Sequence, residues 1–107
     1  MADREPYRPM AGIIYASMLP SLQETARRHG YALAVHGSMT YDFDLVAIPW
    51  SNPASSPRKL IDALIEDTGV IPCPSLYEPE KRSHGRLSWT IPLECGYSLD
   101  ISVMPIG

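Results

Sequence analysis

The chain has 107 residues, which predicts one small domain with a single core rather than two. Its 45% hydrophobic and 20% charged residues are the composition of a soluble globular domain. A net charge of -3 excludes the basic surface that general nucleic-acid binding needs, and no apolar run approaches the roughly 20 residues of a membrane span. No apolar segment follows the charged start, so no signal peptide is expected and the location is read as cytoplasmic. Cys73 and Cys95 lack metal-ligand spacing and read as free thiols rather than a disulfide.

Residues 1–9 are polar and contain two prolines, which predicts a flexible N-terminal arm ahead of a domain over 10–107. A short helix is expected over 10–17. Pro20 suits the first turn of a second helix, where its missing N–H costs nothing. In that second helix Leu22, Thr25, Ala26 and His29 share one side, Arg27 and Arg28 complement the dipole, and Gly30 is the stop. Residues 31–35 read as a strand ending at His36-Gly37-Ser38.

The next stretch dominates the chain. Asp42 and Asp44 stand one residue apart at the mouth of a strand over 43–48, so they share a face. Two carboxylates on one face repel unless a cation, a donor cluster or protonation relieves them. The run Leu45-Val46-Ala47-Ile48 is apolar on both sides, which predicts a central strand covered on both faces. Pro49-Trp50 ends it, and small turn residues follow over 51–56.

The clearest helix is predicted over 57–68. Ser56 is its cap, Pro57 its first residue and Gly69 its stop, and Leu60, Ile61, Leu64 and Ile65 form the buried stripe. Arg58 and Lys59 read as a solvated face. Val70-Ile71 is a candidate short strand, and 72–82 a proline-rich loop long enough to serve a site. From 84 to 93, Leu87, Trp89 and Ile91 alternate with Arg86, Ser88 and Thr90. After Cys95-Gly96, Leu99, Ile101 and Val103 face one way and Asp100 and Ser102 the other. The expected fold is therefore α+β: a mixed sheet of about four strands, with two or three helices mainly on one face. Phe43, Leu45, Ile48, Leu60, Leu64 and Trp89 are the expected core.

The candidate site residues each carry two readings. Asp42 is either a ligand or the start of an Asx-turn, and Asp100 either a ligand or a polar residue on a solvated face. Gly37 either approaches a ligand or serves a positive-φ turn. His36 and His84 each precede a glycine at a strand end, where they either share a pocket or sit apart. Arg86 either pairs with Asp44 or Asp100 or grips a phosphate through both its nitrogens. Tyr41, Trp50 and Trp89 are aromatics that either stack on a base or pack within core and loops.

Gly37-Ser38, the Asp42-Phe43-Asp44-Leu45 element, a following helix and Asp100 on a later strand together resemble the nucleotidyltransferase (polymerase-β-like) superfamily, over roughly 21–104. The run from His36 to Trp50 also resembles a stretch in short phage-encoded proteins. The first resemblance implies a Gly-Ser corner for phosphate and two Mg²⁺ ions on Asp42, Asp44 and Asp100. One departure bears on it. The family places a short helical segment between Gly-Ser and the acid pair, and here only Met39, Thr40 and Tyr41 intervene. The expected function is accordingly a small nucleotide binder that requires no cofactor. Its ligand residues would be His36, Gly37, Ser38, Asp42, Asp44, His84, Arg86 and Asp100, and it would self-associate. The phage resemblance implies sequestration of a nucleotide signal, such as a cyclic dinucleotide or an ADP-ribose derivative, in a host cytoplasm. The alternative is a Mg²⁺-dependent nucleotidyltransferase or phosphodiester-cleaving enzyme using the three aspartates, and a structural or protein-binding domain is a third reading.

Overall fold

Among the described strand residues, those that are buried are Tyr31, Leu33, Phe43, Leu45, Ala47, Trp89, Ile91, Leu99, Ile101 and Val103, and all are odd-numbered. Alternation along a strand sends odd and even residues to opposite faces, so one face of the sheet is covered and the other is open. The computed structural model describes residues 11–37, 42–70, 78–93 and 97–106. The expected arm at 1–9, Ser38, Tyr41, Cys73, Cys95 and the first half of the 72–82 loop lie outside the described residues.

The covering layer is two helices, α1 (Ala11–Arg28) and α2 (Pro57–Thr68). Tyr15, Leu22 and Ala26 of α1 and Leu60, Ile61, Leu64 and Ile65 of α2 join the odd-numbered strand residues in one core. The Tyr15 ring stacks on Phe43 with centroids 4.8 Å apart. The two helices expected before residue 30 are one, with Pro20 inside it. Pro20 has no N–H to donate to the Ala16 carbonyl, and both residues lie on the exposed side of the helix. α2 forms over the expected residues with the expected caps. The Ser56 hydroxyl accepts from the Lys59 N–H, and Gly69 takes the left-handed conformation (φ 77°) with its N–H on the Glu66 carbonyl.

The strands are β1 (Tyr31–His36), β2 (Phe43–Pro49), β3 (Glu80–Lys81), β4 (Leu87–Pro92) and β5 (Ser98–Val103). They form one mixed sheet in the order β1-β2-β5-β4-β3, with β2 and β5 parallel and every other pair antiparallel. Five strands replace the expected four, because the end of the proline-rich loop pairs with β4 through Glu80 and Lys81. The outer edge of the 84–104 hairpin carries β3. Val70 is in no strand. The β1 edge is free of strand pairing among the described residues, although Gln23 Nε2 donates to its Leu33 carbonyl at 3.2 Å.

The largest correction concerns β2. It is central, as its apolar run predicted, but only one of its faces is covered. Ile48, expected in the core, is 45% exposed. Both helices lie on the odd-numbered side, so no described helix covers an apolar residue at an even position of β2.

Candidate functional site

The open face holds most of the chain's sequence-predicted site. β2 and β5 run parallel in a register that sets Asp44 directly beside Asp100. β1 places His36 opposite Asp44, and β4 places Thr90 opposite Asp100. One cross-strand row therefore reads His36, Asp44, Asp100, Thr90. Asp42, just ahead of β2, joins this row: Asp42, Asp44 and Asp100 each have a carboxylate oxygen within 4.8 Å of the others. The three acids thus converge although only three residues separate Ser38 from Asp42.

Donors fix two of them. Ser98 Oγ donates to Asp42 Oδ1 at 2.9 Å, and Thr90 Oγ1 donates to Asp100 Oδ1 at 2.6 Å. Asp44 is the half-buried centre of the group. Burial pushes its carboxyl above the usual carboxylate range, and the charges of Asp100 and Asp42 push it the same way, against a smaller opposing pull from His36. Among the described residues no arginine or lysine forms an ion pair with any of the three.

The cations lie further along the same face. Arg86 Nη1 donates to Ser102 Oγ at 3.1 Å, and Arg82 Nε donates to Ser88 Oγ at 3.0 Å. Ser88 and Ser102 are cross-strand partners, so the two guanidiniums are anchored side by side. Arg86 therefore meets neither Asp44 nor Asp100, the pairing considered from the sequence. Asp44, Asp100 and the two arginines line one open hollow of about 380 Å³, whose wall also includes His36, Val46, Ser88 and Ser102. Acceptors at one end and planar donors at the other suit a ligand that is itself split between hydroxyl and phosphate groups.

Gly37 closes the acid end. Its φ is +93°, and a Cβ on it would stand 3.1 Å from Asp44 Oδ2. Glycine is thus needed both for its backbone and for its closeness to the acid. Ser38, the other half of that corner, is outside the described residues. His84 is brought elsewhere. It takes a left-handed conformation (φ 62°) in the 3₁₀ turn Ser83–Gly85 between β3 and β4, where it is exposed and does not line the hollow. Trp89 is buried in the core, while Trp50 is exposed.

Sequence reasoning did not place Arg82, Thr90, Ser98 or Ser102 in the site. For Ser102 and Thr90 the signal was present, since they share parity with Asp100 and Arg86. Arg82 carried no such signal, because only the pairing of β3 with β4 brings it beside Ser88. No protein-family model matches the chain, and no curated protein or solved structure shows significant similarity to it.

Proposed function

We propose that the open face of the sheet binds a phosphorylated nucleotide and holds it intact. The observation that carries this reading is the hollow itself: anchored guanidiniums of Arg86 and Arg82 at one end, and the carboxylates of Asp44 and Asp100 at the other. Phosphate would lie on the arginines, which offer planar paired donors. Sugar hydroxyls would donate to the acids, the arrangement an acid makes with ribose in dinucleotide-binding folds. A volume of about 380 Å³ falls at the small end of ligand sites, which suits one nucleotide unit. Withdrawing a nucleotide signal from solution is the use that the resemblance to phage proteins implies.

A second reading rests on a separate observation, the convergence of three carboxylates within 4.8 Å. Their hard oxygen donors fit a cation such as Mg²⁺, and Asp42 and Asp100 each keep one carboxylate oxygen clear of the serine and threonine bonds. Asp42, Asp44 and Asp100 would hold the ion. When bound, it would supply charge neutralisation for transfer at phosphorus, and Arg86 would orient the phosphate.

Calorimetry with ADP, in the presence and absence of EDTA, separates the two, with the nucleotide recovered and analysed afterwards. Unchanged affinity in EDTA and intact ADP support the binder. Affinity lost in EDTA, or ADP recovered cleaved or transferred, supports the second reading against the first. In the binder Arg86→Ala weakens ADP by about 1.5–3 kcal/mol, the range for a hydrogen bond to a charged group.

A further inference from the structure

One cross-strand row carries the basic end of the hollow. The registers place Val46 beside Ser102, Ser102 beside Ser88, and Ser88 beside Glu80. Ser102 and Ser88 stand one strand spacing apart, about 5 Å, and each hydroxyl accepts from a different guanidinium. Two like charges are thereby held on neighbouring strands, where they repel. Glu80 Oε2 lies 3.4 Å from Arg82 Nη2 and is the one carboxylate paired with either arginine among the described residues. That pair is exposed, so it is weak and gives way to a stronger anion. The two arginines offer different donors. Arg86 uses Nη1 on Ser102, which leaves its Nε–Nη2 edge without a partner among the described residues. Such an edge matches two oxygens of one phosphoryl group. Arg82 uses Nε on Ser88 and Nη2 on Glu80, which leaves Nη1, an end-on donor suited to a further oxygen one strand over.

We propose that the serine row is a diphosphate clamp, with one phosphoryl group on Arg86 and the next on Arg82, so that the site selects nucleoside diphosphates over monophosphates. The inference deepens the reading above and rests on it. A diphosphate joins two charged phosphoryl groups through one oxygen, so each guanidinium meets a charge of its own and their mutual repulsion is relieved. The sugar keeps its place beside the acids. Asp100 lies two residues from Ser102 on the same face of β5, about 7 Å along the strand, and Asp44 stands next to Asp100. Sugar hydroxyls thus reach the acids while the phosphates run across the strands, from β5 toward β4. Apart from Glu80, every side chain in this arrangement lines the same hollow.

The test titrates ADP and AMP into the protein by calorimetry, with EDTA present and ionic strength held constant. ADP is expected to bind about 10- to 100-fold more tightly than AMP, the gain from one further hydrogen bond between charged groups. Arg82→Ala brings the two affinities to within about 3-fold of each other, whereas Arg86→Ala weakens both ligands. Glu80→Gln releases Arg82 from its carboxylate and widens the preference for ADP by about 2- to 5-fold, which keeps the test available should Arg82→Ala fold poorly. Inorganic pyrophosphate displaces ADP at lower concentration than orthophosphate does. Equal affinity of the wild-type protein for ADP and AMP overturns the clamp and leaves the phosphate reading standing. A preference that persists in Arg82→Ala, or that arises only when Mg²⁺ replaces EDTA, puts the second phosphate elsewhere and also overturns it. If ADP, AMP and pyrophosphate all fail to bind, both readings fall.

Discussion

Along β5, Leu99, Ile101 and Val103 are buried under the helices, while Asp100 and Ser102 between them line the open hollow. The same alternation runs through β2, where Phe43, Leu45 and Ala47 alternate with Asp44 and Val46. Core and site are thus interleaved residue by residue on shared backbone. A slip of one residue in either strand would bury the acids and expose the core. The apolar face therefore fixes the register, and the register sets the geometry of the acids. Asp44 stands beside Asp100 because Leu45 and Ile101 pack, not because the carboxylates attract. A site carried on packed strands is also held more tightly than one on loops.

The sharpest way to break this comparison is to change neighbours on opposite faces. Ile101→Ala should cost about 2–5 kcal/mol, since Ile101 is fully buried in the core. Ser102→Ala, one residue on, should change stability by no more than about 0.5 kcal/mol. It should instead weaken phosphate-ligand binding, because it frees the Arg86 guanidinium from its anchor. Urea denaturation and calorimetry on both variants measure the two effects. Equal stability losses would show that the faces are not energetically distinct.

Much of the covered face was legible in the sequence. The four longer strands and α2 lie within about three residues of the expected positions: α2, β4 and β5 because each carries one unambiguous period, β1 and β2 because a glycine corner and Pro49-Trp50 bound their apolar runs. α1 was misread as two helices because Pro20 is a strong local breaker, and only its place on the exposed side makes it harmless. The open face was half legible. Parity alone put Asp42 and Asp44 on one side and Asp100 with Ser102 on one side. Which strands are neighbours is a matter of topology, so the pairing of Asp44 with Asp100 was an expectation carried by resemblance. Arg82 was hidden because two residues of β3 leave no periodic trace. Ile48 was misassigned because an apolar residue reads as core whether or not a helix covers its face of the sheet.

A smaller effect is expected at the corner where β1 leaves the sheet. Gly37→Ala puts a side chain at φ +93°, which costs about 1–3 kcal/mol, and brings its Cβ against Asp44 Oδ2. The open face should suffer more than the covered one. Ligand affinity should fall along with the denaturation midpoint, whereas Ile101→Ala at a temperature where it remains folded should keep its affinity. A Gly37→Ala protein with native affinity would mean that the corner does not position Asp44.

The smallest effect tests what the open face costs the fold. Asp44 has its carboxyl pushed above its ordinary value of 3.8 by burial first, then by Asp100 and Asp42. The folded protein therefore holds a proton on Asp44 at pH values where the unfolded chain has released it. The sign follows from linkage: where the folded state binds more protons, stability falls as pH rises. This contribution is fully present below pH 3.8 and is lost as pH climbs through the raised folded value. At neutral pH the charged Asp44 is consequently a burden on the fold. Asp44→Asn, which removes the charge but keeps the shape, should raise the melting temperature at pH 7 and lose that advantage below pH 3.8. Melting curves of wild type and variant across this range show the crossover directly. Adding Mg²⁺ sharpens the comparison. If the carboxylates hold the ion, it raises the wild-type melting temperature by mass action and leaves the variant nearly unmoved. If the acids serve ribose hydroxyls alone, Mg²⁺ moves neither protein. An Asp44→Asn protein less stable than wild type at pH 7 would mean that the carboxylate supports the fold, and the division of labour between the two faces would fail at its centre.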